Sequence, residues 1–314
     1  MLKNNICCVI ILAEVFYLKK GWIVYNAFCY VESTAKCIQR LYDALTKKGF
    51  EISIVKHSDI KLCFDNEGDI SPLLGLEKPL FCIYWDKDAL LAHMLEKWGV
   101  RVFNKAKVLE ICDNKGKAFF ALSNNGIAMP KTIISPLVYP ANSEENDIFA
   151  QYVADTLGFP LIVKESYGSF GAQVHIAEDF SKLKELRKKL LHNHHLYQQY
   201  IKNSKGKDLR VFVIGGEPIC AMMRNNDKDF RANIELGGKG TPYTLNKNQA
   251  NLAEKISNIL GADFVGVDFL FDIEGLKLCE VNANAHFLGI EAVTGVNIAD
   301  TYAQHIFNTV TNGF

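Results

Sequence analysis

The sequence has no excess of charge of either sign. Its 35 lysines and arginines balance its 35 aspartates and glutamates, so the formal net charge is zero. Domains that bind nucleic acid or an anionic membrane surface usually carry clustered positive charge and a basic balance. The composition therefore gives no support for a nucleic-acid partner or for a membrane surface as a partner.

The cysteine spacing of a disulfide framework or a zinc site is also missing. The nine cysteines include the adjacent pair Cys7 and Cys8, but no CxxC and no Cys/His ligand pattern. An odd number of irregularly spaced cysteines favours a reducing compartment, and we expect the cytoplasm. His192, His194 and His195 lie close together at the end of a predicted helix. No second Cys/His group could complete a metal site with them, so a surface helix terminus is the better interpretation.

The apolar stretch near the N-terminus is too short to span a bilayer. It runs over the thirteen residues Ile6–Leu18 and contains Glu14. No small-residue cleavage site follows it in a favourable context. We expect residues 1–20 to be a cytosolic N-terminal extension. A signal or anchor segment, or a start codon assigned too early, are the alternatives.

Two common enzyme signatures are absent as well. No GxGxxG follows the first predicted strand, which makes a dinucleotide-binding fold a weak interpretation. No Ser/His or Cys/His pairing is evident, so the sequence does not indicate nucleophilic catalysis through a side chain. It also contains no internal repeat and no low-complexity tract.

What the sequence does contain, in its first third, is a regular alternation of strands and helices. With 314 residues and 49% hydrophobic content, the chain is long enough for two or three domains. Alternation at this spacing predicts a small parallel α/β domain over residues 21–105. The predicted strands are Trp22–Ala27, Glu51–Lys56, Pro79–Tyr84 and Val100–Phe103, and the predicted helices are Thr34–Lys48 and Lys87–Trp98.

The rest of the chain predicts further helices and strands, over residues 106–195 and 196–314. One polar loop, over 65–71, lies inside the first unit, and another, over 140–146, lies in the rest of the chain. The predicted helices of these two ranges are Ala106–Leu122, Asp147–Leu157, Phe180–Leu191, Asn246–Leu260 and Asn297–Phe307. The main predicted strands are Thr132–Ser135, a strand ending at Lys164, Gln173–Ile176, His195–Ile201, Asp208–Ile214 and Pro218–Met223.

A predicted hairpin near the C-terminus carries the clearest chemical signal. Its strands are Phe264–Asp272 and Leu276–Val281, and side chains alternate between the two faces of a strand. Asp268 then faces away from its apolar neighbours, and Glu280 and Asn282 share one face. If the strands pair as drawn, the three side chains converge. Two carboxylates and an amide are hard oxygen donors, which suit magnesium.

Two further segments predict loops with a function. In FPLIVKESYGSFGAQVHIAED, a strand ends at Lys164 and a loop with Gly168 and Gly171 follows. Small residues let backbone N–H groups approach phosphates while the ammonium neutralises charge, although many hairpins have such a loop without a ligand. Arg224–Gly240 is polar and glycine-rich over seventeen residues, a length unusual for a loop without a function.

The order of these segments resembles the ATP-grasp superfamily and, within it, the RimK-type carboxylate–amine ligases. One such motif alone would be weak, but the whole set occurs in register from Gly21 to the C-terminus. The matching segments are DNK at 113–115, PLIVK at 160–164 with the glycine loop after it, QQYI at 198–201, KDLRVFVIGGE at 207–217, DFRANIELGG at 229–238, GVDFLFD at 266–272, EVNAN at 280–284 and GIE at 289–291.

The resemblance implies an α/β (α+β) ATP-grasp fold, in which a small parallel α/β N-terminal domain precedes two α+β domains that hold ATP between them. It implies that three residues address the γ-phosphate and the acyl phosphate: Arg210, Arg231 and Asn233. The implied ATP contacts are Lys115, Lys164, Gly168, Gly171, Gln199, Tyr200, Ile201 and Asp208. The implied ligands of two Mg²⁺ ions, with Mn²⁺ as a substitute, are Asp268, Glu280 and Asn282.

The sequence departs from the family pattern at two places. Gln199 stands where the family often has a glutamate beside the adenine, which weakens the case for a charged contact there. After EVN the chain has ANAHF where many relatives have ASPG. Because that segment lies near the acceptor substrate in the family, His286 and Phe287 are candidates for changing the amine specificity.

The activity that the resemblance implies is ATP-dependent formation of an amide from a carboxylate and an amine through an acyl phosphate. The partners would be ATP, an amino acid such as glutamate, and the carboxylate of a peptide, protein or small molecule; a homo-oligomer is left open. The acyl phosphate must be kept from water, so Ser166–Gly171 and Arg224–Gly240 are candidate lids. The alternatives are a kinase that releases a phosphorylated small molecule and a nucleotide-binding protein without turnover.

Overall fold

The computed structural model describes residues 19–73, 75–139 and 147–313. The apolar stretch Ile6–Leu18 and the predicted loop over 140–146 lie outside the described residues. In the part of the chain that is described, no helix is both long and apolar enough to cross a membrane.

The described ranges contain fifteen strands and nine α-helices. The strands are β1 Lys20–Tyr25, β2 Glu51–Lys56, β3 Leu62–Phe64, β4 Ile70–Pro72, β5 Phe81–Trp85, β6 Arg101–Phe103, β7 Thr132–Ile134, β8 Leu161–Glu165, β9 Val174–Ala177, β10 His195–Gln199, β11 Lys207–Ile214, β12 Glu217–Asn225, β13 Lys239–Pro242, β14 Phe264–Asp272 and β15 Gly275–Asn282. The α-helices are α1 Glu32–Lys47, α2 Ala89–Lys97, α3 Ala106–Asp113, α4 Lys115–Leu122, α5 Asp147–Leu157, α6 Phe180–Leu190, α7 Lys247–Leu260, α8 Leu288–Thr294 and α9 Ile298–Thr311.

The first sheet is the parallel α/β unit that the strand–helix alternation predicts. Its strand order is β2-β1-β5-β6, and every pair in it is parallel. Every residue of β5 is buried, as expected for a strand covered on both faces. The mixed α/β fold class is therefore confirmed.

The second sheet is antiparallel and has its own hydrophobic core. Its strand order is β7-β10-β8-β9, and Val153 of α5 and Leu183 of α6 share a hydrophobic cluster with Tyr197 of β10. Strand β10 follows β9 and α6 in the chain but lies between β7 and β8 in the sheet. The expected domain boundary between residues 195 and 196 falls at the beginning of this strand.

The third sheet shares its two cores with the first. It is antiparallel with the order β13-β12-β11-β14-β15. Alternate residues of β11 face opposite sides, so that Leu209 packs in one cluster with Trp22 while Phe212 packs in another with Phe81. Burial of each such large apolar side chain stabilises the fold by about 1.5–3 kcal/mol. The N-terminal unit is therefore firmly joined to the sheet that carries the predicted metal ligands.

The helix predicted over Ala106–Leu122 is in fact two helices that meet at Asn114. The backbone of Asn114 is extended, with φ −112° and ψ 109°, and its side chain accepts a 3.0 Å hydrogen bond from the backbone N–H of Lys117. This is the geometry of a helix N-cap. The break makes Lys115 the first residue of α4.

Four other elements were not predicted, namely β3, β4, β13 and α8. Strands β3 and β4 form a hairpin around the polar loop predicted over 65–71, because the carboxylate of Asp65 accepts hydrogen bonds from the N–H groups of Glu67 and Asp69 and closes a tight turn. Helix α8 lies between the hairpin and the closing helix, and it ends at Gly295 with φ +72°. All four elements are short, and short elements give a weak periodic signal.

Candidate functional site

The two strands of the C-terminal hairpin bring three predicted site residues together. In the β14–β15 ladder, Asp268 pairs with Glu280 and Gly266 pairs with Asn282, so the three polar side chains lie on one face of the sheet. The register shifts directly after Asp268, where Cys279 is the extra residue of a bulge. The geometry is the convergence that side-chain alternation predicts.

A row of alternating positive and negative side chains extends from Asp268 across strands β11 and β12. Arg210 of β11 pairs in register with Asp268, and its guanidinium bonds both carboxylate oxygens of Asp268 at 2.5 Å. Arg224 of β12 pairs in register with Asp208 and bonds that carboxylate at 2.7 and 2.6 Å. It also reaches Asp268 at 3.0 Å. The four side chains thus form one buried network of alternating charge.

Burial and charge act against each other in this network. Burial acts to raise the pKa of Asp268, but the charges of Arg210 and Arg224 outweigh it and hold that pKa below its usual value. Burial raises the pKa of Asp208, because the attraction of Arg224 only partly offsets it. Asp268 is therefore the carboxylate that stays ionised most firmly.

The two predicted lysines border the same face. The ammonium of Lys115 lies 3.5 Å from a carboxylate oxygen of Glu280. Its backbone N–H donates to the carbonyl of Ser166 at 2.9 Å, so the beginning of α4 is fixed beside the glycine loop. The ammonium of Lys164 donates to Oε1 of Gln198 at 2.7 Å. Both lysines are buried, which places two positive charges at the edge of the acidic face.

The glycine loop and the Arg224–Gly240 segment touch each other. The guanidinium of Arg231 donates to the carbonyl of Gly171 at 2.6 Å and is also paired with Asp229 at 2.8 Å. Gly171 has φ +74°, and a Cβ added there would lie 2.9 Å from Oδ1 of Asn233. Gly168, with φ +147°, is similarly crowded by the side chain of Gln173. Glycine is thus required at both positions by conformation and by space.

The predicted adenine segment lies at the end of β10. Gln199 is exposed and exchanges hydrogen bonds with Lys131, its N–H donating to the carbonyl of Lys131 at 2.8 Å. Ile201 is buried, and burial raises the pKa of Tyr200. An uncharged, exposed side chain therefore stands at the end of this interior strand.

The donors at the hairpin suit a magnesium ion. Among the described residues, no three His, Cys, Asp or Glu side chains form a metal cluster, and the set here is two carboxylates and one amide. Three arginine N–H groups occupy Asp268, and a carboxylate offers about four lone-pair sites, so one remains for a cation. Nδ2 of Asn282 is buried without a hydrogen-bond partner. The amide can turn its oxygen to a cation without loss of a bond made by that nitrogen.

Three side chains of this site were not predicted. Arg224 was taken as the beginning of a loop, but it is a buried residue of β12 that joins two carboxylates. Gln198 accepts a hydrogen bond from Lys164, and Cys279 lies 3.8 Å from the same ammonium. The signal for Arg224 was present, since a charged residue in the apolar strand ICAMMRN is as unusual as Asp268 in its own strand.

Phe287 is not a substrate-facing residue. Its side chain is fully buried and packs against Trp85 and Phe264 in the core shared by the first and third sheets. Phe287 therefore has no exposed surface that could contact a substrate directly, and its effect on the amine specificity stays a prediction. His286, its neighbour in the chain, is only partly buried.

The fold of the chain matches that of known ATP-grasp enzymes. The structure of the ATP-grasp ligase PsnB, complexed with a phosphomimetic variant of its minimal precursor, Mg and ADP, superposes with a TM-score of 0.69 at 15% sequence identity. The match covers 93% of this chain and 99% of that one. The fold is thus the ATP-grasp fold.

Comparison of sequences defines the family more narrowly. The family model for the RimK-like ATP-grasp domain matches residues 112–306. Human N-acetylaspartylglutamate synthase A is 33% identical over 230 residues, and human beta-citrylglutamate synthase B is 33% identical over 233 residues. The matches cover 72% and 73% of this chain, but 57% and 58% of those proteins, so the chain spans a little over half the length of these relatives. The chain belongs to the RimK-like ATP-grasp family.

Proposed function

We propose that this protein is an ATP-dependent carboxylate–amine ligase that forms an amide bond through an acyl phosphate and releases ADP and phosphate. The observation that carries the proposal is the row of charges across the third sheet. Asp268, Glu280 and Asn282 offer oxygen donors on one face, and Arg210 and Lys115 supply positive charge beside them. Membership of the RimK-like family supports the same conclusion.

The donor face is assigned to the metal and the surrounding cations to the phosphates. Asp268, Glu280 and Asn282 would hold Mg²⁺, as two ions with Mn²⁺ as a substitute, and the metal when bound would neutralise charge on the ATP phosphates. Asp208 is assigned to the neighbourhood of the ribose or of the loop that follows it. The phosphate contacts are assigned to Lys115, Lys164 and the backbone of the loop with Gly168 and Gly171. The segment Gln199, Tyr200 and Ile201 is assigned to the adenine.

The chemistry needs positioning and charge more than a nucleophilic side chain. A carboxylate oxygen of the substrate attacks the γ-phosphorus of ATP, and the bond to the β-phosphate oxygen breaks to release ADP. The amine then attacks the acyl carbon, phosphate leaves, and the amine loses a proton to solvent. Arg210, Arg231 and Asn233 are assigned to the oxygens of the transferring group, where positive charge stabilises the transition state.

The intermediate must be protected from water until the amine attacks. The glycine loop and Arg231 already touch through the Gly171 carbonyl, so these two segments can cover the site together. We assign Ser166–Gly171 and the part of Arg224–Gly240 that follows β12 as the two lids.

Glutamate is the amine that we favour. The names of the two human relatives both describe products that contain glutamate. We extend that amine to this chain, with the carboxylate of a small molecule, peptide or protein as the acyl donor. The cytoplasm as the location and a homo-oligomer as the assembly are further expectations, and neither enters the mechanism.

The test is a panel of acids and amines with the purified protein and Mg-ATP. ADP formation that requires both an acid and an amine, with a product lighter by one water than their sum, would establish the ligase and name its substrates. ADP with a phosphorylated small molecule and no need for an amine would establish the kinase instead. No turnover with any pair, despite binding of ATP, would leave a nucleotide-binding protein.

A further inference from the structure

Three segments that are distant in the sequence meet at His286. Its Nδ1 lies 3.0 Å from Oγ of Ser33, and its Nε2 lies 3.0 Å from Oγ1 of Thr34. Its ring centroid lies 5.5 Å from that of Phe170. Ser33 and Thr34 are in the first turn of α1, and Phe170 is at the tip of the Ser166–Gly171 loop. One imidazole therefore joins the N-terminal unit, the glycine loop and the segment that follows Asn282.

The two hydroxyl contacts fix the orientation of the imidazole. Both ring nitrogens are within hydrogen-bond distance of a hydroxyl, so a neutral ring donates to one hydroxyl and accepts from the other. Burial lowers the pKa of His286, which favours this neutral ring. The histidine is thus a rigid support rather than a mobile surface side chain.

The glycine loop is attached to its surroundings at two points near its tip. Phe170 has φ +57°, a left-handed conformation that residues other than glycine rarely adopt without contacts that hold them. Its ring packs on His286, although 42% of the residue remains exposed. At the next residue, the carbonyl of Gly171 accepts the hydrogen bond from Arg231. The contact with Arg231 belongs to the site already described, whereas the contact with His286 has no other role there.

We propose that His286 is a positioning residue that, anchored by Ser33 and Thr34, holds Phe170 and so keeps the Ser166–Gly171 loop closed over the acyl phosphate. The inference rests on the proposed ligase function. If the loop opens early, water attacks the acyl phosphate and returns the carboxylate and phosphate, so that ATP is spent without an amide. His286 acts through Phe170 and does not touch the reacting groups.

The first test measures how many amides form per ADP. We expect His286→Ala and Phe170→Ala each to lower this ratio several-fold at saturating amine and saturating ATP. The double variant should be no worse than either single one, because both remove the same contact. Phe64→Ala is the matched control, since it removes an exposed aromatic ring from the separate β3–β4 hairpin and should leave the ratio unchanged.

A second measurement needs no turnover. Chymotrypsin cleaves after aromatic residues, and Tyr167 and Phe170 are its targets in the loop. Loss of the packing between His286 and Phe170 should make cleavage after Tyr167 roughly tenfold faster in His286→Ala than in the wild-type protein. Mass spectrometry of the fragments identifies the cleavage site. The exposed position of the Phe170 ring makes Phe170→Ala a second variant if His286→Ala does not fold.

The outcomes separate this inference from the proposed function. A wild-type protein that forms amides, with an unchanged ratio in His286→Ala or with additive losses in the double variant, would overturn the role of His286. If the wild-type protein forms no amide with any pair, the proposed function fails, and the cleavage rates alone decide whether His286 holds the loop. Equal cleavage rates in the wild-type protein and His286→Ala would then refute the proposal that His286 holds the loop.

Discussion

Asp268 and Glu280 face each other across the β14–β15 ladder, yet their charges are balanced in different ways. Asp268 is almost fully buried and bound by the guanidinium groups of Arg210 and Arg224. The side chain of Glu280 is 28% exposed and, within the described part of the chain, forms one ion pair, with Lys115 at 3.5 Å. Asp268 is therefore fixed in place, whereas the proposed function requires Glu280 to exchange Lys115 for a metal ion when a nucleotide binds.

This difference makes Glu280 the residue whose charge can be removed with the least damage to the fold. We expect Glu280→Gln to lower Mg²⁺-dependent ATP turnover about 100-fold or more, because an oxygen donor and its charge are lost where phosphate charge must be neutralised. The measurement is ADP formation at increasing Mg²⁺ concentration. Glu274→Gln, in the exposed turn of the same hairpin, is the control and should behave as the wild-type protein. Unchanged turnover in Glu280→Gln would remove this residue from the metal site.

Arg224 should matter for stability as well as for the site. Replacement by methionine keeps the length of the side chain but removes the guanidinium that holds Asp208 and Asp268. Removing one partner of a buried ion pair destabilises a protein by about 3–5 kcal/mol. The free energy of unfolding from urea titration measures the effect. Lys182→Ala breaks an exposed ion pair with Glu185 and should change that free energy by no more than about 0.5 kcal/mol. Equal losses in the two variants would contradict the network.

These two predictions show what local pattern could and could not reveal. The hairpin with Asp268 and Glu280 was predictable because alternation along a strand is a local property and the two strands are consecutive in the chain. Arg224 was missed because its partners depend on how β12 and β14 pair with β11. That pairing joins residues distant in the sequence, so no short window contains it.

The same limit explains the other differences. Asn114 was read inside a helix because its neighbours have helical periodicity, and only the structure shows it as a cap that fixes Lys115 beside Ser166. Phe287 was assigned to the substrate because of its position after EVN, but three-dimensional packing places it in a core with Trp85. The order of the segments along the chain was reliable. The direction in which single side chains face was not.

A substitution in the glycine loop separates the effect of steric crowding by an added Cβ from the effect of backbone strain. Gly171 and Gly158 have similar φ angles, +74° and +67°, so alanine should strain the backbone similarly at both. Only at Gly171 would the new Cβ meet Asn233, at 2.9 Å, and Arg231, at 3.3 Å. We expect Gly171→Ala to lower ATP turnover about tenfold or more relative to Gly158→Ala, at similar thermal stability. Equal turnover in the two variants would show that the loop does not need this close contact.

A buried histidine should make the stability of the folded protein depend on pH. His195 is almost fully buried between the carbonyl of Asn193 and the hydroxyl of Tyr197, and burial lowers its pKa below the usual 6.5. The unfolded chain then binds the proton more readily than the folded one. The contribution of His195 to stability is therefore complete above pH 6.5 and is lost as the pH falls below it.

The measurement is the free energy of unfolding between pH 7.5 and about 5. The variant His195→Asn should show a shallower decline than the wild-type protein, by at most about 1.4 kcal/mol per pH unit. A part of the decline will remain, because burial also lowers the pKa of His175 and His286. Parallel curves for the two proteins would mean that His195 does not titrate differently in the folded state.

The central claim is that the carboxylate is activated by phosphoryl transfer, and isotope transfer tests it most directly. The acid substrate is labelled with ¹⁸O at both carboxylate oxygens and turned over with Mg-ATP and the amine. An acyl phosphate predicts that one labelled oxygen appears in inorganic phosphate for each amide formed, while the other stays in the amide. Label in AMP would mean an adenylate, and unlabelled phosphate would mean that the acid was never phosphorylated. Either result would contradict the assignment of this site.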